Sequence, residues 1–452
     1  MYMKRLRNAL GITVGKTTGR SMKLLGRHST ALPGFVAELI GNQPLEHYMR
    51  KRSYAKTILV TGTNGKTTTT MLIASVFREV GYEVVNNGSG SNLTRGVLTA
   101  LLDDKRQGDD SVLLLEVDEA SMPAVCKATK PDIIVVSNIF RDQLDRYGEV
   151  DTTRKLLEQA LGFATDAHLV LCADDPHVAR LGLDEGRAVN YFGLNASGIS
   201  ALPHDHASDV PLSPVTGAPL VYSRRYFGHV GAYKATDGSF ARPIPDVSVE
   251  AISRGSQAQV VTMKLHGHDQ PLVVRSSLVG TYNTYNLAAA VTVAVTCGLD
   301  MKQVTKALQH KNTAFGRQET VHFEGKRCTF LLIKNPTGFN QVIQSFFQAR
   351  TTRPVLIVIN DNFADGKDIS WLWDAALEDL ATTGQIIVSG LRAYDMALRL
   401  EYAGKKCRVI EDPIQALRTL SKSDAEEVLV LPTYTALLEM RKKLALKLEH
   451  RL

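Results

Sequence analysis

Cysteine is sparse in this chain: five of 452 residues, Cys126, Cys172, Cys297, Cys328 and Cys407, with no CxxC pair among them. An odd and scattered set excludes a disulfide framework and suits the reduced thiols of a cytoplasmic protein. Long apolar runs are missing too. Nowhere do about 18 uncharged apolar residues follow one another, so no segment is expected to cross a membrane. Acids are scarce in one place only: residues 1–56 hold eleven Lys and Arg against two acids, which concentrates the net charge of +7 at the N-terminus and leaves the remainder near −2. So balanced a body lacks the basic stripe of a dedicated nucleic-acid protein, and no nucleic-acid partner is expected. The basic start suits a solvated helix, or peripheral contact with anionic lipid head groups at the inner face of a plasma membrane. Its Arg-rich, hydroxyl-rich, acid-free composition is shared with mitochondrial transit peptides, whereas polar interruptions between Leu6, Leu10 and Val14 exclude the apolar core of a secretory signal.

The rest is ordinary globular composition, 44% hydrophobic and 22% charged, in a chain too long for one core. From Thr57 to about Ser137 short apolar runs (TILV, EVV, VLLLEV, IIVVSN) alternate with amphipathic stretches (MLIASVFREV, GVLTALLDD), the rhythm of a parallel sheet with helical crossovers. Residues 195–245, rich in Gly, Pro, Ser and His, break that rhythm and read as an inserted module. A helix through NLAAAVTVAVTCG, ended by Gly298, follows. Beyond residue 312 a second rhythm begins: CTFLLIK, a helix from Gly338, VLIVIN, a helix around SWLWDAAL, QIIVSG, a helix through YDMALRLEYAG, and EVLVLP. The expected division is a basic segment 1–55, a central α/β domain 56–312 carrying the 195–245 insertion, and an α/β domain 313–452 of Rossmann-like type.

The chemistry is concentrated in TILVTGTNGKTTTTMLI, where an apolar strand meets a loop with Gly62 and Gly65, then Lys66-Thr67, then a helix. Glycines let backbone N–H groups approach phosphate oxygens, the helix start adds its dipole, Lys66 neutralises charge and Thr67 offers a hydroxyl to Mg²⁺. The spacing is unusual, since Val60 stands where a common phosphate loop has its first glycine. A cation also needs a carboxylate at a neighbouring strand end, which VLLLEVDEA supplies as Glu116, Asp118 and Glu119. Capping of a following helix is the plain alternative for these acids. Thr129-Lys130-Pro131-Asp132 imitates a guanine-reading motif, but it precedes an apolar strand instead of following one.

These residues resemble the Mur ligase superfamily, whose phosphate loop reads TGTNGKTT as at Thr61–Thr68. Asn138 with DQLDRYGE at 142–149, ADDP at 173–176, GTYNTYNLAAA at 280–290 and GRQE at 316–319 agree in order. The resemblance implies a P-loop ATPase fold, ATP with Mg²⁺, a phosphate cradle of Thr63, Asn64, Gly65, Lys66, Thr67 and Thr68, adenine contacts near Asn283 and Asn286, and a phosphate contact from Arg317. It also implies an acyl-phosphate intermediate, with Lys66 and Glu116 in the catalytic set and Thr67, Glu116 and Glu119 as Mg²⁺ ligands. More narrowly, the chain is similar to the MurT family, the synthetase subunits of lipid II isoglutaminyl synthase. That likeness rests on Leu32–Gly34, EVDEAS at 116–121, KNPTGFN at 334–340 and NDNFADGKDISWLWD at 360–374. The implied reaction amidates the α-carboxylate of D-glutamate in lipid II with ammonia from a GatD-type glutaminase subunit, and Asp368 would complete that partner's Cys-His pair. Read without the family, Asp368 is a helix N-cap. A stand-alone ligase that joins an amino acid, of the folylpolyglutamate synthase kind, is the other reading.

Two departures stand out. Gln143 occupies the place of a metal-binding histidine in many Mur ligases, and no lysine aligns with the one that peptide-adding members carbamylate: the place is near Leu157, with Lys155 out of phase. In the insertion, relatives carry a zinc ribbon with two Cys pairs, whereas this chain has Ser213, Thr216 and Ala235, with Asp237 or Gly238, at those positions. Hydroxyls, a methyl and at most one carboxylate are no substitute for four thiolates, so no zinc is expected. Packing of Tyr222, Tyr226, Phe227 and Tyr233 is expected to hold the ribbon instead, with His204, His206 and His229 as a conceivable replacement site.

Overall fold

Apolar runs with no polar alternation are what a sheet buried on both faces requires, and in the computed structural model they form one. The structure describes residues 2–24, 31–88, 91–141, 150–183, 186–196, 211–255, 258–309, 317–347 and 351–449. Strands β1 (Tyr54–Thr61), β2 (Glu83–Asn86), β3 (Gly108–Glu116), β4 (Ile133–Val136), β5 (His168–Cys172) and β6 (Val189–Leu194) are all parallel. β9 (Val247–Arg254) extends them in parallel, and β10 (Gln259–Leu265) and β11 (Leu272–Ser276) add an antiparallel end. The nine strands run in the order β11-β10-β9-β6-β5-β4-β1-β3-β2. β1 is central, with β3 on one side and β4 on the other, so a crevice opens beyond its C-terminal end where ligands of such sheets bind.

Helix α4 (Lys66–Glu79) leaves that crevice and packs on the largely buried helix Thr281–Thr296, which Cys297 and the left-handed Gly298 (φ +65°) terminate. Three further helices, α1 (Tyr2–Leu24), α2 (Leu32–Ile40) and α3 (Pro44–Met49), lie outside α5 (Thr94–Asp103). The seam between α1 and α2 is unusually close. A Cβ at Gly11 would stand 2.6 Å from the Ala37 carbonyl oxygen and one at Gly15 2.8 Å from that of Pro33. Asn8, Gly11, Gly15 and Gly19 form the buried side of α1.

The insertion contains the hairpin of β7 (Leu220–Phe227) and β8 (Val230–Ala235). Two short turns flank it with matching hydrogen bonds. In the first, Ser213 N–H donates to Ala218 O (2.7 Å) and Gly217 N–H to Ser213 O (2.9 Å); in the second, Ala235 N–H donates to Phe240 O (2.7 Å) and Gly238 N–H to Ala235 O (3.0 Å). Between them Thr216 Oγ1 donates to Asp237 Oδ2 (2.8 Å) and lies 3.1 Å from Ser239 Oγ, which in turn donates 2.6 Å to Asp237 Oδ1. Hydroxyls and a carboxylate thus join the two turns. The expected aromatics divide between two cores: Tyr233, Ala235 and Phe240 form a small one with Ala179 of the central domain, with Tyr222 packed against it, and Tyr226 and Phe227 belong to the core of the large sheet. A register shift between Arg225 and Phe227 marks a bulge there, which lets two consecutive residues face inward.

The C-terminal part is a separate six-stranded sheet of β12 (Arg317–Phe323), β13 (Lys326–Leu331), β14 (Val355–Val358), β15 (Ile386–Ser389), β16 (Arg408–Val409) and β17 (Glu427–Pro432), in the order β12-β13-β17-β14-β15-β16. All pairs are parallel except the edge pair β12–β13. The α-helix expected around SWLWDAAL is instead two short 3₁₀ turns, Ser370–Asp374 and Leu377–Asp379. Tertiary partners capture the backbone groups a helix would use: Asn340 Oδ1 accepts from Ala376 N–H (2.8 Å), and buried Arg399 donates to the carbonyls of Leu372 and Ala375.

Candidate active site

The loop after β1 holds Gly62 at φ +123° and Gly65 at φ +90°, where a side chain would be strained and also obstructed: a Cβ on Gly65 would lie 2.3 Å from Asn286 Oδ1. Asn286 reaches the loop from the helix Thr281–Thr296, accepting from Thr69 Oγ1 (3.1 Å), while Asn283 lies below it with its amide on Val279 O (2.8 Å). Asn138, just past β4, clasps the loop reciprocally: Asn64 N–H donates to Asn138 Oδ1 and Asn138 Nδ2 to Asn64 O, both 2.9 Å. Thr63 is fixed in the same way by Phe140, whose N–H donates to Thr63 Oγ1 (2.9 Å).

Lys66 Nζ lies 3.1 Å from Glu119 Oε1 and 2.7 Å from the Gly62 carbonyl, both groups of the ion pair being buried. Glu116, at the end of β3, accepts from Asn92 Nδ2 (3.2 Å) and is half-buried. Asp118 turns out to be a cap, accepting from Ala120 N–H (3.1 Å) at the start of a 3₁₀ turn. The site suits a nucleotide on its own chemistry, since the buried Asn64 Nδ2 and Thr68 Oγ1 have no hydrogen-bond partner beside a cradle that admits no Cβ. Among the described residues no three His, Cys, Asp or Glu gather as a metal cluster. A Mg²⁺ on a nucleotide needs no such cluster, because phosphate oxygens and water supply most of its ligands, and Thr67 with Glu116 or Glu119 are the protein groups at hand. Gln143 and the side chain of Arg317 lie outside the described residues. Asp132 sits at the opposite edge of the sheet, accepting from Thr57 N–H (2.7 Å), which removes the guanine-reading alternative. Leu157 is buried and Lys155 exposed.

Sequence reading missed the contribution of the second sheet. Lys334 Nζ donates to Thr63 O (3.0 Å) and Asn335 Nδ2 to Asn64 Oδ1 (3.2 Å), so two residues just after β13 grip the phosphate loop directly. Between the domains lies a cleft of about 730 Å³, with Asn64, Gly65, Asn138 and Asn286 on one wall and Leu331, Lys334 and Gln341 on the other. Phe227 of the ribbon closes one side, stacked on Phe140 (5.7 Å) and edge-on to Tyr285 (5.6 Å). A second hollow of about 360 Å³ begins at Lys334 and Asn335 and is lined by Arg141, Asp368, Trp371 and Asp374. Asp368 Oδ1 accepts from Ser370 N–H (2.8 Å) in a local turn, although the N-cap position of the 3₁₀ segment is Ile369 and not Asp368, and the partly exposed Asp368 carboxylate borders this hollow.

ADDP explains how the ribbon is fastened. Asp174, fully buried, accepts from Leu194 N–H (2.8 Å), from Tyr285 Oη (2.5 Å) and from Arg242 Nε. Burial pushes its carboxyl above the usual range against the pull of Arg242, so the three donors are what make the position tolerable. Asp175 accepts from the N–H groups of Ile139 (2.8 Å) and His177 (2.9 Å), and His229 Nε2 lies 3.4 Å from it. His229 is therefore buried beneath the ribbon, not open to a metal; His204 and His206 lie outside the described residues.

A parallel-sheet phosphate loop gripped by a second α/β sheet defines the class: a Mur-type ligase. Residues 60–207 match the Mur ligase middle domain and residues 332–437 the MurT ligase C-terminal domain. The solved structure of a pseudomurein peptide ligase type C from Methanothermus fervidus superposes with a TM-score of 0.67 at 20% identity, over 89% of this chain and 80% of that one. MurF ligase from Thermotoga maritima in complex with ADP gives 0.62 at 16% identity, over 90% and 83%. The curated relatives include subunit MurT of lipid II isoglutaminyl synthase (glutamine-hydrolyzing) from Streptococcus pneumoniae, 32% identical over 97% of both chains. The same subunit from Staphylococcus aureus is 28% identical over 97% of this chain and 98% of that one. The chain belongs to the MurT family.

Proposed function

We propose that the chain is the synthetase subunit of a lipid II isoglutaminyl synthase, converting the α-carboxylate of D-glutamate in the lipid II stem peptide to an amide. The carboxylate oxygen takes the γ-phosphoryl group of ATP, releasing ADP; ammonia nitrogen then bonds to the acyl carbon and phosphate leaves with the oxygen. Lys66, the loop amides and Thr68 would hold the phosphates, with Asn286 and the Phe227 side of the cleft toward the base. Mg²⁺, held through Thr67 and Glu116 or Glu119, would offset the developing charge. Both members of the Lys66–Glu119 pair thus have a use when nucleotide is bound.

The observation that carries the reading is the Lys334-Asn335 corner. It belongs at once to the phosphate loop's hydrogen bonds and to the hollow that Asp368 borders, so a group delivered beside Asp368 arrives next to the phosphate site. A glutaminase subunit of the GatD type is the proposed source of ammonia. Exposed apolar side chains support docking of such a subunit near Asp368: Phe363 and Trp373 are exposed, Trp373 lies edge-on to Tyr402 (5.3 Å), and Tyr394, Leu398 and Tyr402 line one side of the helix Ala393–Tyr402. The stand-alone amino acid ligase is less well supported, because relatives matched over at least 97% of both chains are named as subunits of a glutamine-hydrolyzing synthase. Acting on a lipid-linked acceptor places the subunit at the cytoplasmic face of the membrane.

The test is mass spectrometry of lipid II incubated with the co-purified pair, ATP and glutamine, which should show the small loss expected when hydroxyl is exchanged for amino. With Asp368→Asn, product from glutamine should fall at least a hundredfold while product from ammonium salts is retained; equal loss from both nitrogen sources would refute the role in trans.

A further inference from the structure

Among the described residues, the side of α1 facing away from its glycine seam is exposed. Met3, Leu6 and Leu10 recur at helical spacing on that side with exposures of 77%, 60% and 55%, and Thr13, Thr17, Arg20 and Leu24 continue the row. Basic side chains flank it, and no acid occurs before Glu38. The cations crowd one another at the base of the helix: after burial, the charges of Arg52, Arg20 and Lys105 are what lower the Lys16 ammonium. Among the described residues no helix is long and apolar enough to cross a membrane. An exposed apolar row between uncompensated cations is the composition of a helix lying in the head-group region of an anionic bilayer, with leucines in the acyl boundary and Lys and Arg at the phosphates.

We infer that α1 docks the subunit along its length on an anionic membrane surface through Met3, Leu6 and Leu10 and the flanking Arg5 and Arg20. The fold gives this orientation a purpose. Gly15 abuts Pro33, Gly34 lies against Arg95 at the start of α5, and Thr94 N–H donates to Ser121 Oγ (3.2 Å) just beyond Glu116 and Glu119. Gly15 also meets Leu102 at the far end of α5, so α1 crosses the back of the central domain along that helix. Lying flat, α1 would hold the central domain, which carries the phosphate loop, close to an acceptor whose lipid anchor is in the membrane. The 23-residue helix is about 35 Å long, enough to fix a direction as well as a point of contact.

This orientation rests on the proposed lipid-linked acceptor, but the docking itself is testable without it. Full-length protein, with its partner, is floated with vesicles of phosphatidylcholine alone or mixed with phosphatidylglycerol, containing no acceptor. Binding should require phosphatidylglycerol and fall steeply with salt, and Leu6→Glu with Leu10→Glu should reduce it at least about tenfold with no change in Tm. Arg5→Glu with Arg20→Glu, which leaves the apolar row intact, should do the same if the double leucine variant misfolds. Equal binding to neutral vesicles, no binding at all, or a leucine-dependent dimer that ignores vesicles would overturn the inference. Failed amidation with intact vesicle binding would count against the enzymatic reading alone.

Discussion

The phosphate loop and the inserted ribbon answer to different physical demands. In the loop, nearly every group is engaged by a specific distant partner: Asn138 on Asn64, Phe140 on Thr63, Asn286 against Gly65, Lys334 on Thr63. In the ribbon the shape resides in backbone turns, and the side chains between them are exchangeable so long as something joins the turns. Thr216, Asp237 and Ser239 do so here. Residues that must meet a ligand are held from many directions; residues that only fasten are held by whatever chemistry fits.

The comparison breaks first at Lys66. Replacing it by Ala should lower nucleotide turnover about a thousandfold or more, since the group is there for charge that develops during reaction, and should also lower Tm because buried Glu119 loses its counter-charge; a variant as active as wild type would remove the loop from the chemistry. Next comes the fastening of the ribbon. Arg242→Ala leaves the buried Asp174 without its counter-charge, and by analogy with other broken buried pairs should cost roughly 3–5 kcal/mol. Thermal denaturation should show it, and a Tm within a degree or so of wild type would show that Tyr285 and Leu194 suffice for Asp174. The smallest effect is expected within the ribbon itself. Thr216→Val should speed proteolysis near residues 213–239 while leaving Tm and turnover unchanged, and added zinc should protect neither protein.

Much of the fold was legible because parallel strands buried on both faces appear as unbroken apolar runs, such as Val112–Leu115 and Val355–Val358. The phosphate loop was legible because its requirements are local: glycines, a lysine and a helix start within a few residues. The grip of Lys334 and Asn335 was not, since the loop lies 271 residues away in sequence and nothing in KNPTGFN by itself points to it. Asp118 and Asp368 show the opposite case, in which a local hydrogen bond competes with a role in chemistry; geometry places the first as a cap and leaves the second bordering the hollow as well. Tyr226 and Phe227 were expected to pack the ribbon, but a bulge, invisible in composition, turns them toward the large sheet, and His229, offered as part of a replacement metal site, is buried against Asp175.

The thiol-free ribbon bears on how the cell makes this subunit. A cysteine-ligated ribbon must be supplied with zinc, and peroxide strips that metal by oxidising its thiolates. Residues 195–245 contain no cysteine, and the turns that thiolates would hold are joined by Thr216, Asp237 and Ser239. Peroxide has no thiol there to oxidise, so this part of the subunit should mature as readily in an oxidising environment as in a reducing one.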